Sequence, residues 1–173
     1  MINYGYLETE LQLRYPGDNL RIRNMCDGGN TPGFRPHSGR NTPWAFPGAE
    51  KFQTALAQPS GSEGHLEYPD EWLTRLKAEV IMAFFGYNES FEGPEGLENF
   101  TAELTAWIQH TRQQQYNGSS SPNIILFSPL AFEDLSDQYD LPNGEVQNAN
   151  LRLYSEAMEK VAREEEVTFL DLF

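Results

Sequence analysis

The sequence predicts an α/β domain: a parallel sheet with helices on both faces, in a three-layer αβα arrangement. Two observations carry this. Short apolar runs, "EVIMAFF" at 79–85 and "PNIILFS" at 122–128, have strand length, and they alternate with longer segments whose apolar residues recur every three or four positions. Apolar runs without strict alternation fit strands buried on both faces, as in parallel sheets. The 173 residues are enough for one sizeable core, and an apolar fraction of 39% with 13% aromatic belongs to a folded chain. We therefore read residues 1–173 as a single domain.

The elements follow in order. Leu7, Leu11 and Tyr15 sit four residues apart in "NYGYLETELQLRY", a helix that ends before Pro16-Gly17. "NLRIRN" at 19–24 alternates and reads as a strand. Residues 25–66 are rich in Gly, Pro, Asn, Ser and His, a long irregular region with a short helix around "AEKFQTALA". Loops of such length are functional or disordered, and Phe34, Trp44 and Phe46 indicate that this one packs against something. "PDEWLTRLKA" is a short helix with Asp70 capping its first turn. Leu97, Phe100, Leu104, Trp107 and Ile108 fall on one helical face. Val146, Ala149, Leu153, Ala157 and Val161 mark the last helix, and "VTFLDLF" closes the chain as a strand.

Acidic residues outnumber basic ones by 26 to 12, for a formal charge of −14. That field repels phosphate backbones and anionic lipid, so nucleic acid and membrane surfaces are poor partners. Cys26 is the single cysteine, which rules out an intrachain disulfide or a thiolate cluster. No apolar run reaches the length of a membrane span, and "MINYGYLETELQ" lacks the regions of a signal peptide. No cofactor motif is present, and no Ser/Thr/Gly phosphate loop follows a first strand, so a flavin site is disfavoured.

Ligands of parallel α/β sheets bind beyond the carboxyl ends of the strands. Two of those ends are unusual: Asn24 to Thr31, which includes Gly28 and Gly29, and Gly86-Tyr87-Asn88-Glu89. Glycines let the backbone bend sharply toward a ligand, and an Asn amide is a fixed donor. A backbone N–H and a side-chain amide converging on one point form an oxyanion hole for acyl transfer.

The Asn-x-x-x-x-Gly of 24–29 and the Gly-x-Asn-Glu of 86–89, in this order of elements, resemble blocks II and III of the SGNH hydrolases, the GDSL esterase/lipase family. The resemblance implies a flavodoxin-like fold and cleavage of an acyl ester, or of an acetyl ester on a carbohydrate. It implies Gly29 and Asn88 as oxyanion-hole residues, with Asn24 opening block II and Glu89 standing where many members have aspartate. "YGYLETELQLRYPGDNLRIRN", "DGGNTPGFRPHSGRN", "PWAFPGAEKF" and "FFGYNESFEGPEGL" are similar to the SGNH-like domain of large planctomycete-type multidomain proteins, which often carry a haem-binding CxxCH module.

The chain departs from the family at both ends. The block I serine belongs on a strand ahead of the first helix, and the block V Asp-x-x-His belongs after the last strand; neither motif is in the sequence. In the family the block I strand lies between the strands at 20–24 and 79–85, so its absence leaves both with unpaired backbone groups or forces them to pair with each other in a non-native register. The sequence is thus read as a fragment with Met1 an internal methionine, inactive by itself, and its compartment is left open.

Other candidates are weaker. His37, His65 and His110 read as surface histidines, and Ser38, Ser90 and Ser128 lack a Gly-x-Ser-x-Gly context. Cys26 reads as a small buried residue, and "REEE" at 163–166 as a solvated helix end. Glu89 and Glu92 could pair for acid/base work or for a metal, though no third ligand lies near. The rival function is a non-catalytic carbohydrate- or partner-binding module, with Phe34, Trp44 and Phe46 as rings for stacking on sugars or as cover for the core.

Overall fold

The computed structural model describes residues 5–37, 39–40, 42–52 and 66–173. The segment "QTALA", half of the short helix expected around residue 53, and His65 and Ser38 lie outside the described residues. Helix α1 spans Tyr6–Arg14, α2 Pro69–Leu76, α3 Leu97–Arg112 and α4 Glu145–Glu164; strand β1 spans Val80–Phe84, β2 Asn123–Phe127 and β3 Thr168–Leu170. Short 3-10 segments cover Ala49–Phe52 and Glu89–Gly96.

The three strands form one parallel sheet in the order β1-β2-β3. Ala83 faces Leu126, and Leu126 faces Phe169. Each step across the sheet crosses over through a helix, and two such steps of one hand in one direction put α3 and α4 on the same face. The core lies there. Ala83, Ile124 and Leu126 from the strands meet Phe100, Leu104, Trp107 and Ile108 of α3 and Tyr154, Met158 and Val161 of α4.

The opposite face carries Met82, Phe84, Ile125 and Phe127 and stands outside that core. Val80 and Leu170 on it are 52% and 44% exposed. Neither early helix builds a second layer there as a buried core: α1 fully buries none of its side chains, and α2 buries only Pro69. The α/β class and the parallel sheet are as read from the sequence, while among the described residues the helical cover is substantial on one face.

Several readings are corrected. Residues 20–24 form no strand; Arg21, Arg23 and Asn24 are exposed, and among the described residues β1 pairs only with β2. An alternating pattern becomes a strand only with a neighbour to bond, and this one has none. The closing strand shortens to three residues for the same reason, since β3 meets only β2.

The α4 face is rotated from the one predicted. Val146 and Ala149 are exposed, and Leu151, Tyr154, Ser155, Met158 and Ala162 go inward with Val161. The "REEE" helix end is not purely solvated: Glu165 is ion-paired with Arg112 of α3 and accepts the Gln109 amide at 2.8 Å. Asp70 does not cap α2. Glu71, one residue on, reaches back to the Tyr68 N–H at 3.1 Å.

The aromatic loop packs, as expected. Phe46 and Ala45 join the core, and Phe34 and Trp44 form an isolated antiparallel bridge with rings 5.5 Å apart. Phe46 is only 6% exposed, which makes it cover for the core and removes it as a sugar-stacking surface.

Candidate functional site

The turn after β1 is built by glycine and closed by a carboxylate. Gly86 has φ +94°, which an L side chain rarely adopts, and a Cβ there would stand 3.0 Å from the Met158 sulfur. Its N–H donates to Glu89 Oε2 at 2.9 Å, and its carbonyl accepts the Ser90 N–H at 3.1 Å. Asn88 projects from this turn, and its Nδ2 donates to the main-chain carbonyl of Asn30 at 3.1 Å.

That bond brings the two unusual loops together. Gly29, the chain neighbour of Asn30, is left-handed at φ +81° with open space where a Cβ would be. The next residues are anchored to α3: Thr31 Oγ1 and the Gly33 N–H both donate to Glu103 Oε1, at 2.9 and 3.0 Å. Glu103 is 1% exposed. Its anchoring role had no signal in the sequence beyond a glutamate on the apolar face of a helix.

Asn24 is not drawn into this arrangement. Its Oδ1 accepts the Cys26 N–H at 2.9 Å in an exposed turn of its own. Cys26 is exposed, not buried as expected, because the loop carrying it lies outside the core. Glu89 points inward, with Oε1 enclosed and lacking a hydrogen-bond partner. Burial, with Glu103 and Glu92 nearby, pushes its carboxyl up to about 7 against the opposing pull of the backbone N–H groups. Glu92 is exposed, and among the described residues no three metal-ligating side chains come together.

No described serine lies on a histidine. Ser90 Oγ donates to the Tyr87 carbonyl at 2.7 Å, and buried Ser128 donates to Asp171 Oδ1 at 3.0 Å. His37 stays exposed, its Nδ1 accepting the Gly39 N–H at 3.0 Å. His110 is not a free surface histidine. Its Nε2 lies 2.7 Å from Asp70 Oδ2, while Tyr116 Oη donates to Asp70 Oδ1 at 2.5 Å. The ring of Phe46 stacks on His110 at 5.6 Å.

Burial, with the Asp70 contact, pushes the Tyr116 hydroxyl up, which keeps it a donor. Arg35 faces the same cluster and lies over the Phe85 ring at 5.4 Å; burial and the nearby Arg40 bring its guanidinium down to about 10. This cluster ties α2 to the end of α3.

Some of the large apolar side chains left exposed lie in segments that follow the strands. Tyr87 and Phe91 follow β1, Leu130 and Tyr139 follow β2, Leu172 follows β3, and Val146 in the first turn of α4 shares a cavity with Tyr87 and Phe91. A small cavity of about 170 Å³ lies among Tyr87, Phe91 and the first turns of α4. A larger open groove of about 480 Å³ runs between α3 and α4 and is lined by Glu98, Glu156 and Lys160 among others.

No protein-family model matches the chain, and no curated protein does. A solved structure is similar over 60% of the chain at 18% identity, with a TM-score of 0.44. The match covers 51% of that structure's chain, so the present sequence spans about half its length.

Proposed function

We propose that the chain carries the oxyanion half of an ester-hydrolase site of SGNH/GDSL type, with the Gly29 backbone N–H and the Asn88 amide as its donors. The observation that carries this reading is the 3.1 Å bond from Asn88 to Asn30, which draws the Gly29 loop and the β1 turn to one strand end. One amide hydrogen of Asn88 holds the loop, and the other is left for a developing negative oxygen. Donors fixed in this way stabilise charge without reorganising during reaction.

On this reading a complete site also needs an attacking serine and a histidine base, and among the described residues no serine contacts a histidine. Glu89 supports Asn88 through the Gly86 N–H, and Asn24 has no part in the arrangement. The three-layer flavodoxin-like stack then describes the parent domain. The 173-residue chain alone should hydrolyse p-nitrophenyl acetate no faster than its Asn88→Ala variant. Turnover by the pure chain that is lost in Asn88→Ala would show that the nucleophile is already present.

A second reading, a non-catalytic binding module, is favoured by the exposed Tyr87 and Phe91 rings that line the cavity after β1. In-frame translation of the flanking DNA separates the two. A strand ending in Gly-Asp-Ser upstream with Asp-x-x-His downstream supports the hydrolase, and the lack of either supports the binding module.

A further inference from the structure

We propose that the cavity between Tyr87, Phe91 and the start of α4 is a binding subsite for one neutral sugar ring. This rests on the reading of the strand ends as the ligand-binding side, and it names the ligand class.

The lining carries the argument. Tyr87 and Phe91 stand edge to face with ring centroids 5.6 Å apart, and they are 41% and 66% exposed. Val146 and Leu151 complete the apolar part, and Gln147 and Asn150 are the polar part. Both of these residues are half-buried, and neither carboxamide makes a hydrogen bond among the described residues. Ser90 Oγ is engaged with the Tyr87 carbonyl.

No carboxylate, imidazole, ammonium or guanidinium lines the cavity. An anionic ligand would find no counter-charge there and would meet the field of a chain with formal charge −14. A wholly apolar occupant would desolvate two carboxamides without giving them partners, which is unfavourable. A sugar ring satisfies both parts, since its C–H face lies on aromatic rings and its hydroxyls bond carboxamides. The volume of about 170 Å³ suits a single ring. Tyr87 is the chain neighbour of Asn88, so the subsite and the proposed oxyanion donor belong to the same turn after β1.

The test is an NMR titration of the 173-residue chain with xylotetraose, mannotetraose and tri-N-acetylchitotriose, with tri-galacturonate and n-hexanol as comparison ligands. The expected result is saturable shifts at Tyr87, Phe91 and the Gln147 and Asn150 side-chain amides with at least one neutral saccharide, and none with tri-galacturonate. Phe91→Ala should weaken that binding about tenfold, and Asn150→Ala several-fold. Phe91 is largely exposed, so its loss leaves the core intact.

The titration reads binding without turnover, which separates this subsite from the hydrolase reading, and Glu164→Ala, an exposed change at the far end of α4, should leave saccharide binding unchanged. No saturable shift with any of the three saccharides would overturn the proposal. So would binding indifferent to both variants, or shifts with n-hexanol alone, which would assign the cavity to an alkyl group.

Discussion

The side-chain amide of Asn88 donates to the main-chain carbonyl of Asn30 across 3.1 Å, fastening the turn after β1 to the loop that carries Gly29. Asn88→Ala removes the donor and leaves a half-buried carbonyl without it. The expected cost is about 1–2 kcal/mol, read as a lower urea midpoint at unchanged m. Asn88→Asp should cost more, because it sets a carboxylate against a carbonyl oxygen. Unchanged midpoints would mean that the bond does not hold the loop.

Glu89 gives a pH dependence of definite sign. Its folded-state value of about 7 lies above the ordinary 4.5, so the folded protein holds this proton where the unfolded chain has released it. The carboxyl favours folding below about pH 4.5. Its contribution falls as pH rises toward 7 and is lost above that.

At 1.36 kcal/mol per unit the change is on the order of 3 kcal/mol. Glu89→Gln should flatten this part of the profile and be more stable than wild type at pH 8. Glu92 and Glu103 face the same carboxyl, with Tyr154 beyond, whose hydroxyl burial pushes up to about 12. Parallel unfolding curves for the two proteins between pH 5 and 8 would refute the assignment.

Asp70 accepts from both His110 and Tyr116, so it should be the costliest member of its cluster to lose. Tyr116→Phe removes one bond and should cost about 1–2 kcal/mol. Asp70→Ala orphans two donors and should cost more. A double-mutant cycle of Asp70 with His110 should return a coupling of at least about 0.5 kcal/mol. Additive effects would indicate that the pair is not formed in solution.

Two ion pairs at the carboxyl end of α4 should behave differently. The Glu165 side chain is 13% exposed and bonds Arg112, whereas Lys160 and Glu164 are 71% and 62% exposed. Glu165→Ala should cost about 1 kcal/mol or more, and Glu164→Ala at most a few tenths. Half-molar salt should weaken the second contact more. Equal costs would contradict the docking of the α4 end onto α3.

The parts of the fold that were legible in the sequence share one property: their pattern answers to a partner inside the chain. Phe100, Leu104, Trp107 and Ile108 kept their predicted face because the sheet and α4 stand opposite them. "LRIRN" has strand alternation but no neighbouring strand, and pattern cannot supply one. The α4 face was misread because apolar Val146 and Ala149 look like core, while Tyr154 and Ser155 look like surface.

At the candidate site, the glycine turn at Gly86 after β1 and the bend at Gly29 were legible from turn chemistry, while the strand expected ahead of Asn24 is absent. Glu103 and the Asp70–His110 pair were not, since their partners lie 70 and 40 residues away. The inward turn of Glu89 was hidden for a related reason: a glutamate after an asparagine reads as surface until the Gly86 N–H is seen to need an acceptor.

The central claim is that Asn88 is an oxyanion donor and not merely a loop fastener. It is tested most directly by steady-state hydrolysis of p-nitrophenyl acetate by the protein carrying its native flanking sequence, wild type against Asn88→Ala. The account predicts turnover in the wild type and a fall in kcat of roughly 10²–10³ in the variant, with little change in KM. Equal turnover in the two proteins, or none in the wild type, would contradict it.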